Sequence, residues 1–162
     1  MNLRRLVFGS NPRRTSIRIL VLAAVTFVTL QWILIPVRTQ GISMLPTFES
    51  GRLHFVSRMA YAFGSPARGD IVAIRLAGPH VLYIKRVVAL PGERVRIVEG
   101  QVQINGVGLD EPYVRNRRPW DAGEVQLSTH EYFVAGDNRG MAAGDHDFGP
   151  VDEERIIGKV VF

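Results

Sequence analysis

The sequence predicts a mainly β, antiparallel body behind a single N-terminal membrane-spanning helix. Two observations predict it. Ile19 to Val37 is an uncharged run broken only by Thr26, Thr29, Gln31 and Pro36. Beyond it there is no long 3.6-residue periodicity, only short alternating runs punctuated by many of the chain's 16 glycines and nine prolines.

The N-terminal arm, residues 1–18, is polar and arginine-rich. A helix over residues 19–37 would be about 28 Å long, close to the hydrocarbon thickness of a bilayer. Trp32 stands near its far end, where amphipathic rings anchor at an interface. A cleaved leader is the competing reading. It would have a shorter apolar region and small residues at a cut, whereas Ile-Pro-Val-Arg-Thr-Gln follows here. Residues 38–162 form the body. Strands are predicted at 52–56, 70–75, 81–89, 94–98, 101–104, 131–135 and 156–162, with a tight turn at Asn105-Gly106. Residues 110–130 read as an irregular excursion from the core, a hairpin being one form it could take, and its arginines 115, 117 and 118 as a solvated loop.

Charge narrows the function. The net charge of +5 suggests a nucleic-acid binder until it is located. Residues 1–37 hold five arginines and no acid, and the body has fifteen basic and fifteen acidic residues. That is the asymmetry of a membrane-oriented chain, so no nucleic-acid partner is expected. The positive-inside rule puts the N-terminus inside and the body on the outer side. With no cysteine, a disulfide framework, a thiolate nucleophile and a cysteine zinc site are excluded. No metal or organic cofactor is suggested.

Three stretches bear on chemistry. Gly41-Ile42-Ser43-Met44-Leu45-Pro46-Thr47 follows the apolar run, and on its own it reads equally as turn chemistry or as a nucleophile's loop. Lys85-Arg86-Val87-Val88-Ala89-Leu90-Pro91-Gly92 places a lysine inside a strand. Gly136-Asp137-Asn138-Arg139 opens a glycine-rich loop. A serine needs a base before it attacks. His54, His80, His130 and His146 are candidates, the last between Asp145 and Asp147. Lysine serves only when neutral, which an apolar setting favours. Val81, Tyr83, Lys85 and Val87 share one strand face. The chain has 18 arginines and two lysines, Lys85 and Lys159, so a lysine in this strand suggests a titratable amine. Snorkelling to a sheet edge is the plain alternative.

In this order the three blocks resemble the type I signal peptidases, membrane serine proteases that remove leader peptides from exported proteins. Ile104-Asn105-Gly106 and Glu111-Pro112-Tyr113 resemble the family's intervening segment. The resemblance implies Ser43 as nucleophile, Lys85 as general base and an acyl-enzyme. It implies an oxyanion held by the Ser43 N–H, with Gly41 where the family often offers a serine hydroxyl. It implies a signal peptide lying extended between 39–42 and 82–84, near Ile42, Met44, Tyr83 and Ile84, and cleaved after Ala-x-Ala. Gly136, Asp137, Asn138, Asp145 and His146 fall in its supporting loop. That loop departs from the pattern: Ala142 replaces the serine that would orient the lysine, Gly144 an aspartate and His146 an arginine. The expected membrane is the bacterial cytoplasmic membrane or the mitochondrial inner membrane. A catalytically weak, tethered homologue that binds peptides or partners is the alternative. Some of Met44, Leu45, Phe48, Phe55, Met59, Tyr61 and Phe63 are expected to form an exposed apolar patch beside the active site, resting on the lipid bilayer.

Overall fold

The computed structural model describes residues 11–77, 81–145 and 148–161. The chain divides into two compact units between Ile35 and Pro36.

The first unit is helix α1 (Pro12–Ile33). It starts earlier than the apolar run because of its cap. Asn11 accepts a hydrogen bond from the Arg14 N–H, and Pro12 fills the first turn, where its missing donor costs nothing. The Thr15 and Thr29 hydroxyls donate to the carbonyls of Asn11 and Val25, so both polar side chains are satisfied within the helix. Its 22 residues span about 33 Å. Leu20, Leu22, Phe27 and Trp32 are all exposed. The helix also ends earlier than the apolar run predicts: Leu34 to Val37 lie in a strand, β1 (Leu34–Arg38).

The second unit is antiparallel β. Its remaining strands are β2 (Leu53–Ser57), β3 (Ile71–Ala77), β4 (Val81–Ala89), β5 (Arg94–Val98), β6 (Gln101–Ile104), β7 (Val107–Gly108), β8 (Ala122–Gln126), β9 (Glu131–Ala135), β10 (Gly149–Asp152) and β11 (Ile156–Val160). One sheet has the order β1-β2-β11-β3-β4-β9-β10 and the other β7-β6-β5-β8. Asn105 and Gly106 both have positive φ, as the predicted tight turn requires.

The two faces of the larger sheet carry separate cores. Val88, Ala89, Phe133 and Ala135 pack on one side with Val95, Ile97, Val102 and Ile104 of the smaller sheet. Val72, Ile74, Val87, Tyr132, Val134 and Val151 pack on the other. Residues along β9 alternate between these cores, so both faces of the strand are covered and Tyr132 to Ala135 reads as a continuous apolar run. Each buried Val, Ile or Phe side chain contributes about 1.5–3 kcal/mol over its exposed state.

The segment between β7 and β8 forms no hairpin of its own. It is irregular chain that crosses the β5–β6 turn: the Gly100 N–H donates to the Trp120 carbonyl and the Glu99 N–H to the Asp121 carboxylate. A Cβ on Gly100 would lie 2.3 Å from the Arg118 carbonyl oxygen, so the close crossing requires a glycine there.

Candidate active site

Ser43 sits in the loop that joins β1 to β2. Thr39 closes that loop at its base. Its N–H donates to the Arg52 carbonyl, its hydroxyl to the carbonyls of Glu49 and Arg52, and its carbonyl accepts from Gly51. Gly41, at φ 93°, makes the bend that leads into the serine, a conformation that disfavours any side chain. Ser43 is half-buried, Met44 beneath it is buried, and Ile42 is exposed.

Lys85 comes from the middle of β4 and is 2% exposed. Its register partner is Val72 of β3, so the two share a face with Val87 and its own partner Val134. Tyr83 lies on the same face and Ile84 on the other, both half-buried.

Gly136 joins the two regions. It continues β9, whose Ala135 pairs with Arg86, and so comes alongside Lys85. A Cβ on Gly136 would lie 2.4 Å from the Ser43 carbonyl oxygen and 3.4 Å from the Ser43 Cβ. In a flat sheet β1 and β9, five positions apart, would be separated by roughly 24 Å. The twist and curl of the sheet, with the two loops, close that distance. Asn138 completes the contact. Its N–H donates to the Ser43 carbonyl at 3.0 Å and its side-chain amide to the Ile42 carbonyl at 3.0 Å.

Asp137, between them, faces away from solvent at 1% exposure. Its carboxylate receives both Nε (2.8 Å) and an Nη (2.6 Å) of Arg86, and the Thr47 hydroxyl. Arg86 also donates to the Gly69 carbonyl, and its guanidinium lies 4.0 Å from the Tyr113 ring centroid. Burial would lower the pKa of Arg86, but Asp137 outweighs that and raises it. The sequence reading quoted Arg86, Thr47 and Arg139 within its blocks but gave them no role. Two of them flank recognised positions, but nothing in a sequence reveals which buried cation meets which carboxylate.

The other expectations divide. Asp145 is exposed in a 3-10 turn, its N–H donating to the Ala142 carbonyl. His146 and His80 lie outside the described residues. His130 is exposed in the turn before β9. His54 is buried against Phe48, ring centroids 4.1 Å apart, and neither ring nitrogen has a hydrogen-bond partner among the described residues. It is therefore not bonded to Ser43. Of the residues expected in the apolar patch, Phe55, Met59 and Phe63 are exposed, Met44 is buried, and Leu45, Phe48 and Tyr61 are half-buried.

The edge of β4 is open beside the site. β9 pairs with β4 only from Arg86 onward, and the chain then turns away through Gly136 toward Ser43. Among the described residues, no strand pairs with Val81–Lys85 on that side.

Residues 13–162 match the family model described as signal peptidase, peptidase S26. The chain belongs to this family. It is 36% identical over 127 residues to a signal peptidase I from Leptolyngbya laminosa, covering 74% of this chain and 63% of that one. It is 33% identical over 123 residues to a probable signal peptidase I-2 from Synechocystis, covering 72% and 56%. The signal peptidase I V of Bacillus subtilis is 32% identical over 143 residues, covering 79% and 84%. The chain thus spans less than two thirds of the length of the first two relatives. A signal peptidase I structure from Enterococcus faecalis aligns with a TM-score of 0.47 at 27% identity, covering 60% of this chain and 97% of that one.

Proposed function

We propose that the chain is a membrane-anchored serine endopeptidase that removes leader peptides from exported proteins, with Ser43 as nucleophile and Lys85 as general base. The observation that carries this reading is the convergence on Gly136. The Ser43 loop packs on Gly136, which follows Ala135, the register partner of Arg86 beside the buried Lys85. A neutral Lys85 amine would take the Ser43 proton as the hydroxyl attacks the scissile carbonyl, and would return it to the leaving amine. Water activated by the same amine would hydrolyse the acyl-enzyme. The Ser43 N–H is the proposed oxyanion donor. Both residues of the dyad are present, so a peptide-binding homologue without activity is not favoured.

The open edge of β4 supports the substrate assignment. An extended peptide would add there as a strand, through backbone hydrogen bonds indifferent to sequence. Ile42 and Ile84 would then wall shallow pockets that admit small residues at the first and third positions before the cut. We also propose that α1 anchors the chain in the bacterial cytoplasmic membrane or its mitochondrial counterpart, N-terminus inside, with Phe55, Met59 and Phe63 resting on the outer surface. The test uses the full chain in detergent micelles or vesicles with a preprotein substrate. Ser43→Ala should leave no cleavage, and the wild type should cut after Ala-x-Ala. Cleavage by Ser43→Ala, or efficient cutting after Phe or Leu, contradicts the reading.

A further inference from the structure

Arg139 and Glu111 are both buried, at 1% and 3% exposure, and face each other with no solvent between their charged groups. The two Nη atoms of Arg139 donate to the two carboxylate oxygens of Glu111, at 2.6 and 3.3 Å. Glu111 also accepts from the Tyr113 hydroxyl at 3.1 Å and from Arg117 at 3.4 Å. The third nitrogen of Arg139, its Nε, donates to the Gly136 carbonyl at 2.7 Å. One planar guanidinium therefore spans two parts of the chain, the excursion between β7 and β8 and the turn after β9. Backbone contacts run in parallel: the Arg118 N–H donates to the Arg139 carbonyl, and the Arg139 N–H to the Asp137 carbonyl.

The turn closed in this way consists of Gly136, Asp137 and Asn138. Its outward side presents the Asn138 N–H and side-chain amide to the carbonyls of Ser43 and Ile42. The Nε–carbonyl bond closes this turn at its base. A buried ion pair is weak evidence for stability, because apolar residues of similar volume often serve as well. A fixed fork that places three donors in one plane is what an apolar pair cannot reproduce.

We propose that Arg139, held by Glu111, is a positioning residue for the peptidase reaction. It does not touch the substrate. It sets the turn that seats Ser43, and through it the irregular segment between β7 and β8 becomes part of the active-site scaffold. This rests on the Ser43–Lys85 reading and extends it to residues outside the dyad.

Two variants of the full chain test it, with thermal unfolding measured beside kcat and KM on a leader peptide. Arg139→Lys keeps a cation against Glu111 but loses the fork. Its kcat should fall about 100-fold, the scale set by an ångström of misplacement, with KM unchanged. The paired replacement Glu111→Leu with Arg139→Met removes both charges together. Its melting temperature should stay within a few degrees of wild type, while kcat stays low. Arg139→Lys with wild-type kcat overturns the proposal. So does a paired variant that recovers both stability and kcat, or a kcat that tracks melting temperature across the set. If the paired variant does not fold, Arg139→Lys decides alone. Ser43→Ala in the same assay separates the two failures. If it still cleaves, the dyad reading falls and takes this proposal with it. If it is inactive beside a fully active Arg139→Lys, only the positioning role falls.

Discussion

Lys85 and Arg86 are consecutive residues of one strand, both basic and both turned toward the interior, yet their surroundings differ. The Arg86 face offers a carboxylate in bidentate geometry, a backbone carbonyl and an aromatic ring. The Lys85 face offers Val72, Val87 and Val134 in register beside it. A planar, permanently charged guanidinium suits the first setting, and an amine able to give up its proton suits the second. Adjacent positions on a pleated strand can thus meet different chemistry, because alternation sends them to opposite sides of the sheet. The second lysine sharpens the contrast. Lys159 lies in the same cross-strand row, next to Val72 and bonded to Asp70, but its side chain is 42% exposed where Lys85 is buried.

The sharpest way to break this comparison is to exchange the cations. Lys85→Arg should lower kcat/KM on a leader peptide by about 10⁴-fold or more, since arginine cannot act as the base. Retained activity would show that Lys85 is not the base. Gly136→Ala comes next. Its methyl group would meet the Ser43 carbonyl, and the forced shift should cost about 100-fold in kcat. Wild-type turnover would show that the two loops part without consequence.

Arg86→Lys tests the other face. It keeps the charge beside Asp137 but not the bidentate contact. It should lower unfolding free energy by about 1–3 kcal/mol in denaturant titration and leave kcat within about tenfold. Loss of activity at unchanged stability would erase the division between the faces. The smallest effect concerns Lys159. Burial pushes the Asp70 carboxyl up, but hydrogen bonds from Lys159, the Ala67 N–H and Tyr61 outweigh it, and the pKa is lowered. A depressed folded pKa gives stability that is present above the unfolded value of about 3.9 and lost as pH falls through the folded one. Asp70→Asn should therefore flatten part of the acid limb of stability against pH, by less than about 1 kcal/mol because the pair is partly exposed. An unchanged acid limb would remove Asp70 from that account.

Much of the fold is legible in the sequence. Strands β4, β5, β6 and β9 have the bounds that alternation and turn residues predict. β1 is hidden because Leu34-Ile35-Pro36-Val37 prolongs the apolar run, and hydrophobicity alone does not tell the end of a helix from a strand. β10 is hidden because Gly149 and Pro150 read as loop, and an edge strand tolerates proline. β8 carries Gly123 and a weak pattern of its own. Of the site, Ser43, Lys85 and Gly136 stand in recognisable blocks. The links of Asp137 to Arg86 and of Glu111 to Arg139 cross 51 and 28 residues. They depend on how the sheet curls, which no local pattern encodes.

The contact at Gly136 has one more consequence. Most distances inside a protein are set by how side chains fill space, so they drift when a core is repacked. Here the spacing between the Ser43 loop and the end of β9 is main chain against main chain. The thickness of the polypeptide acts as a gauge block. Larger or smaller side chains in either core alter what lies behind the two segments and leave the gap itself unchanged.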